Sequence, residues 1–173
     1  RFETVETKGI RIRITDARGP LCLSNVGVYD AGNVSDSFVE KVEDIESVPY
    51  LLPDVKAEEA AKASDKQAQT TCFVEGDRLL IDLQEERLVS SLHFLPDQGE
   101  PNKGLIANYE IRVGTSKDAV NQLVKSGEFS NIQNNPVMQS VFFTPVKTRY
   151  IELKATRMIH AGEPMGFAEL GVK

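Results

Sequence analysis

Sugar, metal and proton chemistry each draw on a few side-chain types, and this sequence gathers those types in loops. "LPDQGEPNK" supplies Asp97, Gln98, Glu100, Asn102 and Lys103. Carboxylates accept hydroxyl protons, amides both donate and accept, and an ammonium donates, which is the set needed to fix a polyhydroxylated ring. "MIHAGEP" adds His160, whose imidazole donates one bond and accepts another. "EPMGFAEL" carries Phe167, an aromatic that either lies beneath a pyranose ring or turns into the core. "ASDKQAQTTC" carries Asp65 and Thr70, both oxygen donors. A further polar loop, "SGEFSNIQNNPV", holds Asn131, Asn134 and Asn135, which suit left-handed turn positions, and turn chemistry is the reading there.

Other chemistries find no support. Glycoside hydrolysis needs two carboxylates about 5–10 Å apart in a cleft, and none of the acidic residues is marked out as such a pair. No G-x-S-x-G, no HExxH and no Gly-rich phosphate loop occurs, and the two histidines, His93 and His160, have no flanking motif. The fragment therefore reads as non-catalytic. Cys22 and Cys72 form neither a CxxC nor a Cys/His cluster, so a zinc site is not expected. A Cys22–Cys72 disulfide and two buried thiols both remain open. The formal net charge is −6, from 26 acidic and 20 basic residues. That balance argues against nucleic acid and anionic membranes as partners. No apolar run approaches the roughly 18–20 residues that span a bilayer. Trp, the usual sugar platform, is absent.

The elements that must carry these loops read mostly as strands. Leu79, Ile81 and Leu83 alternate with Arg78, Leu80 and Asp82. Leu88, Leu92 and Phe94 are read on one face, with His93 on the other. Tyr109, Ile111 and Val113 alternate with Glu110 and Arg112, and Val137, Val141 and Phe143 form another set, followed by Tyr150–Ala155. Phe94, Phe143 and Tyr150 are expected in the core. Period-two alternation means one face buried and one wet, as in antiparallel sheets. Turn signals fall between the runs, so the chain reads as an all-β antiparallel β-sandwich. Two stretches read as short helices or solvated connectors. They are "SFVEKVEDI", with Ser37 and Glu40 at capping-box spacing, and "DVKAEEAAKASDK", behind Pro53 with Asp54 as its N-cap.

The beginning also resembles the end. Phe2, Val5, Thr7, Lys8, Ile10, Ile12 and Thr15 match Phe143, Val146, Thr148, Arg149, Ile151, Leu153 and Thr156 at one constant offset. Gly27-Val28 then matches Gly171-Val172 at a slightly longer one. This suggests three parts: residues 1–30 as trailing strands of an upstream sandwich, 31–47 as a linker, and 48–173 as a complete sandwich. Arg1 runs straight into a strand-like pattern, so the chain reads as a piece of a longer protein.

The frame "GDRLLIDLQEERLVSSLHFLPDQGE", "GLIANYEIRVGTSKD", "FTPVKTRYIELKATR" and "GFAELGV" resembles the coagulation factor 5/8 type C, or discoidin-like, domain. In carbohydrate enzymes such domains are family 32 carbohydrate-binding modules. The resemblance spans about 100 residues and implies a galactose-binding-like jelly roll whose end loops bind glycan, beside a structural Ca²⁺. It places the sugar at Asp97, Gln98, Glu100, Asn102, Lys103, His160 and Phe167. It places the ion at Asp65, Thr70, the Ala168 carbonyl and Glu169. Related sugar binders often carry L-P-R-Q where this chain has Asp97. The early A-I-D-G-N-x-x-T-x-W signature is altered, with Lys66 for Gly, Gln67 for Asn and Cys72 for Trp. "IRIRITDARGPLCLSNVGVY" is similar to the sandwich that follows the catalytic barrel in family 29 α-L-fucosidases. The resemblance therefore implies an accessory domain of a secreted, periplasmic or cell-surface glycosidase, the rest of which lies in the same chain. A β-hexosaminidase parent is the alternative, and a structural spacer or protein-interaction domain is the rival from another class.

Overall fold

The structure is a computed structural model, and it describes residues 7–13, 47–99, 101–129 and 131–173. Glu100, Cys22, the capping box at Ser37 and most of the first 47 residues lie outside this set, and with them the expected linker. No strand forms over 7–13, where Ile10 and Ile12 are 48% and 60% exposed. Alternation makes a strand only where a partner takes up its backbone bonds.

The described chain is almost entirely β. After helix α1 (Ala57–Lys62) come β1 (Cys72–Val74), β2 (Arg78–Pro96), β3 (Ile106–Gly114), β4 (Gln122–Glu128), β5 (Gln139–Met158) and β6 (Met165–Val172). They join in one antiparallel sheet of order β1-β6-β2-β5-β3-β4. The fold is the expected antiparallel jelly roll. Helix α1 begins two residues later than its Asp54 cap implied, and Asp54 instead accepts from Lys117 Nζ at 2.7 Å.

Two very long strands shape the body. β2 has 19 residues and β5 has 20, and each pairs with the other along most of its length. Their ladder breaks between Asp82 and Arg87, where Gln84 adopts φ 66°. A left-handed residue at a register break is how a strand bends sharply while its pairing resumes beyond. The first half of β2 contributes Leu79, Ile81 and Leu83 and the second half Val89, Leu92 and Phe94, all to one buried cluster. The break, and a second one between Val89 and Ser91, also shifts the side-chain phase. Leu88 is thus 69% exposed instead of sharing a face with Leu92 and Phe94. Phe94 is fully buried as expected, whereas Phe143 and Tyr150 are only half-buried.

β6 lies between β1 and β2 and is buried at all eight positions. It packs beneath Phe94, whose ring stacks on Phe129 at 5.4 Å and tilts against Phe167 at 5.5 Å. Burying such rings contributes roughly 1.5–3 kcal/mol each. Tyr50 closes the far side of β6. Its hydroxyl donates to Leu170 O at 2.7 Å and lies 3.1 Å from Ala63 O. Burial, reinforced by the nearby Glu169 charge, pushes that phenol well above its ordinary range. The Cys72 thiol faces the same core and is held protonated, pushed up to about 11 chiefly by burial.

Because β2 and β5 fold back, the ends of several strands meet. The loops 97–104, 129–138 and 159–164, together with the 75–77 turn, therefore gather at one end of the sheet. Backbone bonds hold them there: Ile159 N to Leu105 O at 2.9 Å, Gly166 N to Gly104 O at 2.9 Å and Ala155 N to Asp77 O at 2.8 Å.

Candidate functional site

The loop end is organised around Asp97. Its carboxylate is 4% exposed, and it accepts from Thr71 Oγ1 at 2.6 Å, Gly99 N at 3.1 Å and Lys103 N at 2.8 Å. Its carbonyl accepts from Asn102 Nδ2 at 2.9 Å. Asp97 is thus the internal clamp of its own loop. That corrects the expectation that it accepts sugar hydroxyls: both oxygens are consumed by the fold. Phe167 is corrected too. It sits inside β6, fully buried against Phe94, and offers no ring to a ligand.

The other loop residues are divided. Gln98 donates its side-chain nitrogen to Pro96 O at 2.7 Å and Pro136 O at 2.8 Å, tying this loop to the 129–138 loop. Both N–H groups of the Gln98 amide are therefore spent and one of the two on Asn102, and their amide oxygens are left as acceptors. The side chains of Lys103 and His160 are exposed. The two loops that carry them are joined by a close approach. Gly104, at φ 65°, donates its N–H to Glu163 Oε2 at 2.8 Å. A Cβ on Gly104 would lie 2.2 Å from Gly166 N and 2.3 Å from Pro164 O. Only glycine fits there.

Sequence reasoning missed the aromatic that does reach this end. Phe73 lies on β1 opposite Gly166, on the face away from buried Cys72 and Val74. A Cβ on Gly166 would meet Phe73 Cε1 at 2.9 Å and Lys103 O at 2.6 Å. The half-exposed Phe73 ring therefore lies across a bare glycine, beside the backbone of Lys103. Its signal in the sequence was the Gly at 166, whose missing side chain is what seats the ring.

A second constellation surrounds the 65–70 turn. Asp65 accepts from Gln67 N at 2.8 Å and from Thr70 Oγ1 at 2.8 Å. Glu169, 4% exposed, accepts from the same Gln67 N at 3.0 Å. Ala68 packs with Ala168, which docks the turn on β6. Asp65, Thr70, Ala168 and Glu169 are thus brought to one place. Burial, and then the negative charge of Asp65, push the Glu169 carboxyl up to about 7. Among the described ion pairs, none involves Asp65 or Glu169. Lys66 takes up φ 61°, a left-handed turn position held without glycine. Two adjacent carboxylates, a hydroxyl and turn carbonyls, with no cation among the described residues in an ion pair with them, are oxygen donors of the kind a hard cation such as Ca²⁺ takes.

No family model and no curated protein matches this sequence. Solved structures do match. A family 32 carbohydrate-binding module associated with a family 89 glycoside hydrolase of Clostridium perfringens, solved with GalNAc-β-1,3-galactose, superposes with TM-score 0.57 and 17% identity. That match covers 72% of this chain and 93% of that one. The family 32 module of a second C. perfringens protein, solved with galactose, gives TM-score 0.56 and 24% identity over 72% and 91%. A glycoside hydrolase family 29 member from an unknown rumen bacterium gives TM-score 0.54 and 28% identity. There the match covers 65% of this chain but only 19% of that chain.

Two outcomes follow from this geometry. Asp97→Ala strands two backbone N–H groups and a hydroxyl, and is expected to lower unfolding stability by about 2–4 kcal/mol in urea titration. Lys103→Ala keeps the backbone N–H that Asp97 holds and removes only an exposed side chain, so it is expected to stay within about 0.5 kcal/mol of the parent. Glu169 titrates in the opposite sense from a paired carboxylate. Its folded pKa lies above the unfolded value, so its contribution is complete below about 4.5 and is lost as pH rises to about 7. In EDTA, the stability difference between the parent and Glu169→Gln is expected to fall through that window and then level off, as read by urea unfolding across pH.

Proposed function

We propose that this chain is a non-catalytic carbohydrate-binding accessory module of a longer glycoside hydrolase. The observation that carries the reading is the convergence, at one end of a jelly roll, of a half-exposed aromatic with rigidly held polar loops. Phe73 supplies the apolar face for a pyranose, while Lys103 and His160 donate to its hydroxyls. The amide oxygens of Gln98 and Asn102 accept from those hydroxyls. Likeness to modules solved with galactose and with GalNAc-β-1,3-galactose supports the ligand class. Likeness to part of a family 29 hydrolase supports an α-L-fucosidase parent over a β-hexosaminidase one. On this reading the parent is secreted or displayed at the cell surface, and the module raises the local concentration of glycan around the catalytic domain without entering its chemistry. Among the described residues, no helix is long and apolar enough to cross a membrane.

Ca²⁺ belongs to the same proposal. Asp65, Thr70, the Ala168 carbonyl and Glu169 would hold it, and the ion would supply the positive charge that the two carboxylates lack, fastening the 65–70 turn to β6. A spacer without sugar affinity is the second reading. It is favoured by the burial of Phe167 and by the internal use of Asp97, which remove two of the polar and aromatic groups that such sites depend on.

Calorimetry with galactosyl, fucosyl and N-acetylhexosamine ligands is expected to give weak but saturable binding. Phe73→Ala and His160→Ala are each expected to raise Kd about tenfold or more while the melting temperature holds. Silence across these ligands, with folded and Ca²⁺-supplemented protein, would favour the spacer. For the ion, the melting temperature is expected to rise with millimolar CaCl₂ and to drop back in EDTA. A temperature unmoved by either would reject it.

A further inference from the structure

The loop end also carries a concavity apart from the residues just described. It lies between the 129–138 loop and the C-terminal end of β5, and encloses about 190 Å³. Its walls are Glu128, Asn131, Gln133, Asn134 and Arg157, over a floor that includes the buried Phe129 and Ile132. The sequence alone assigns these asparagines to turn-making. Of them only Asn131 takes a left-handed turn position, and polar groups are left over.

Arg157 donates its Nε to Asn108 Oδ1 at 2.6 Å, which fixes the guanidinium in place. Its two terminal amino groups enter none of the described ion pairs, and neither does the Glu128 carboxylate in the same wall. Asn131 stands at φ 57°, and its Oδ1 accepts from Asn134 Nδ2 at 2.9 Å. That leaves the Asn131 amide nitrogen and the Asn134 amide oxygen unspent, alongside both ends of Gln133. The loop is held at both ends. Phe129 N donates to Ala107 O at 2.9 Å, Asn135 N donates to Asn131 O at 2.9 Å, and the Gln98 bridge holds Pro136. Its polar groups are therefore pre-positioned, and ordering them costs a ligand little.

We propose that this depression is a second glycan subsite that takes one neutral, hydroxyl-rich pyranose unit. The proposal rests on the glycan-binding reading above. Its ligand class follows from the mixture of groups. A sugar hydroxyl both donates and accepts, and the walls offer a fixed donor in Arg157, an acceptor in Glu128, the Asn131 amide nitrogen, the Asn134 amide oxygen and both ends of Gln133. An acidic sugar would meet Glu128 and a protein of net charge −6. The volume is below the roughly 300–1,000 Å³ of drug-sized pockets, so it suits one ring and not a chain. Because the 129–138 loop is bridged to the 97–104 loop by Gln98, a glycan seated at one site is positioned near the other.

The test is a ¹⁵N NMR titration of the whole chain with galactose, N-acetylgalactosamine, fucose and GalNAc-β-1,3-galactose, alongside Arg157→Leu and Asn134→Ala. At least one of these ligands is expected to shift Arg157 Nε–H and the Asn131 and Asn134 side-chain amides. The two variants are expected to weaken that response about tenfold or more, as loss of a charged hydrogen bond does. Responses at Phe73, Lys103 and His160 to monosaccharide are expected to stay intact in both. Both substituted side chains are exposed, so melting temperatures should hold. If ligand shifts resonances around Phe73 but leaves Arg157 and Asn134 silent, this subsite is overturned and the glycan reading stands. If no ligand shifts any resonance, both fail together.

Discussion

The pairing of β2 with β5 is the constraint on which everything else hangs. Two strands of 19 and 20 residues share most of their backbone bonds, and both bend where that ladder breaks at Asp82–Arg87. The bend lets one pair of strands supply both halves of a core, and it returns strand ends to a common rim. Arg149 braces it on the β5 side, with its Nε and a terminal nitrogen on the two Asp82 oxygens at 2.9 and 3.1 Å. Without that return, the described residues of the loops at 97–104, 129–138 and 159–164 would hang from different ends of the sheet.

The rim spends some of its polar groups on holding itself and leaves others exposed. Asp97, Asn102 and Gln98 spend donors and acceptors on backbone partners. Gly104 and Gly166 give up side chains so that two loops and the Phe73 ring can meet. What remains free is modest: an aromatic edge, an ammonium, an imidazole and some amide oxygens. A shallow, pre-ordered site of this kind buries little surface, so its affinity is bounded even though its ordering cost is low. On the proposed reading, such a site serves as one of several contacts on a linked chain, where effective concentration multiplies a weak affinity.

Much of this was legible in the sequence where one face is wet. The alternations Leu79/Ile81/Leu83 and Tyr109/Ile111/Val113 mark real strands with those residues inward. Legibility fails where the period is not two. β6 is covered along its whole length, so "MGFAELGV" has no polar alternation and reads as a loop, which is why Phe167 looked available. β4 is an edge strand with little to bury, and its pattern carries almost no apolar phase. Leu88 was misread because bulges shift phase, and nothing in local composition announces a bulge at Gln84. The clamp role of Asp97 was hidden for another reason. An aspartate that captures its own loop's N–H groups and one that faces a ligand are the same letter, and only the fold tells which N–H groups are near.

Three carboxylates show how this molecule handles negative charge taken out of water. Asp82 is answered by Arg149, whose guanidinium holds it below the ordinary carboxylate range. Asp97 is answered by two backbone N–H groups and a hydroxyl, which is enough to satisfy an ion without a countercharge. Glu169 has a shared N–H and a like-charged neighbour, and its proton affinity rises accordingly. Asp65 and Glu169 share the Gln67 N–H and enter none of the described ion pairs. Near neutral pH the proton is half lost, because the carboxyl has been pushed only to about 7. On the proposal that Ca²⁺ binds at this turn, the ion would meet charge held by a fixed loop, and it would compete with that proton.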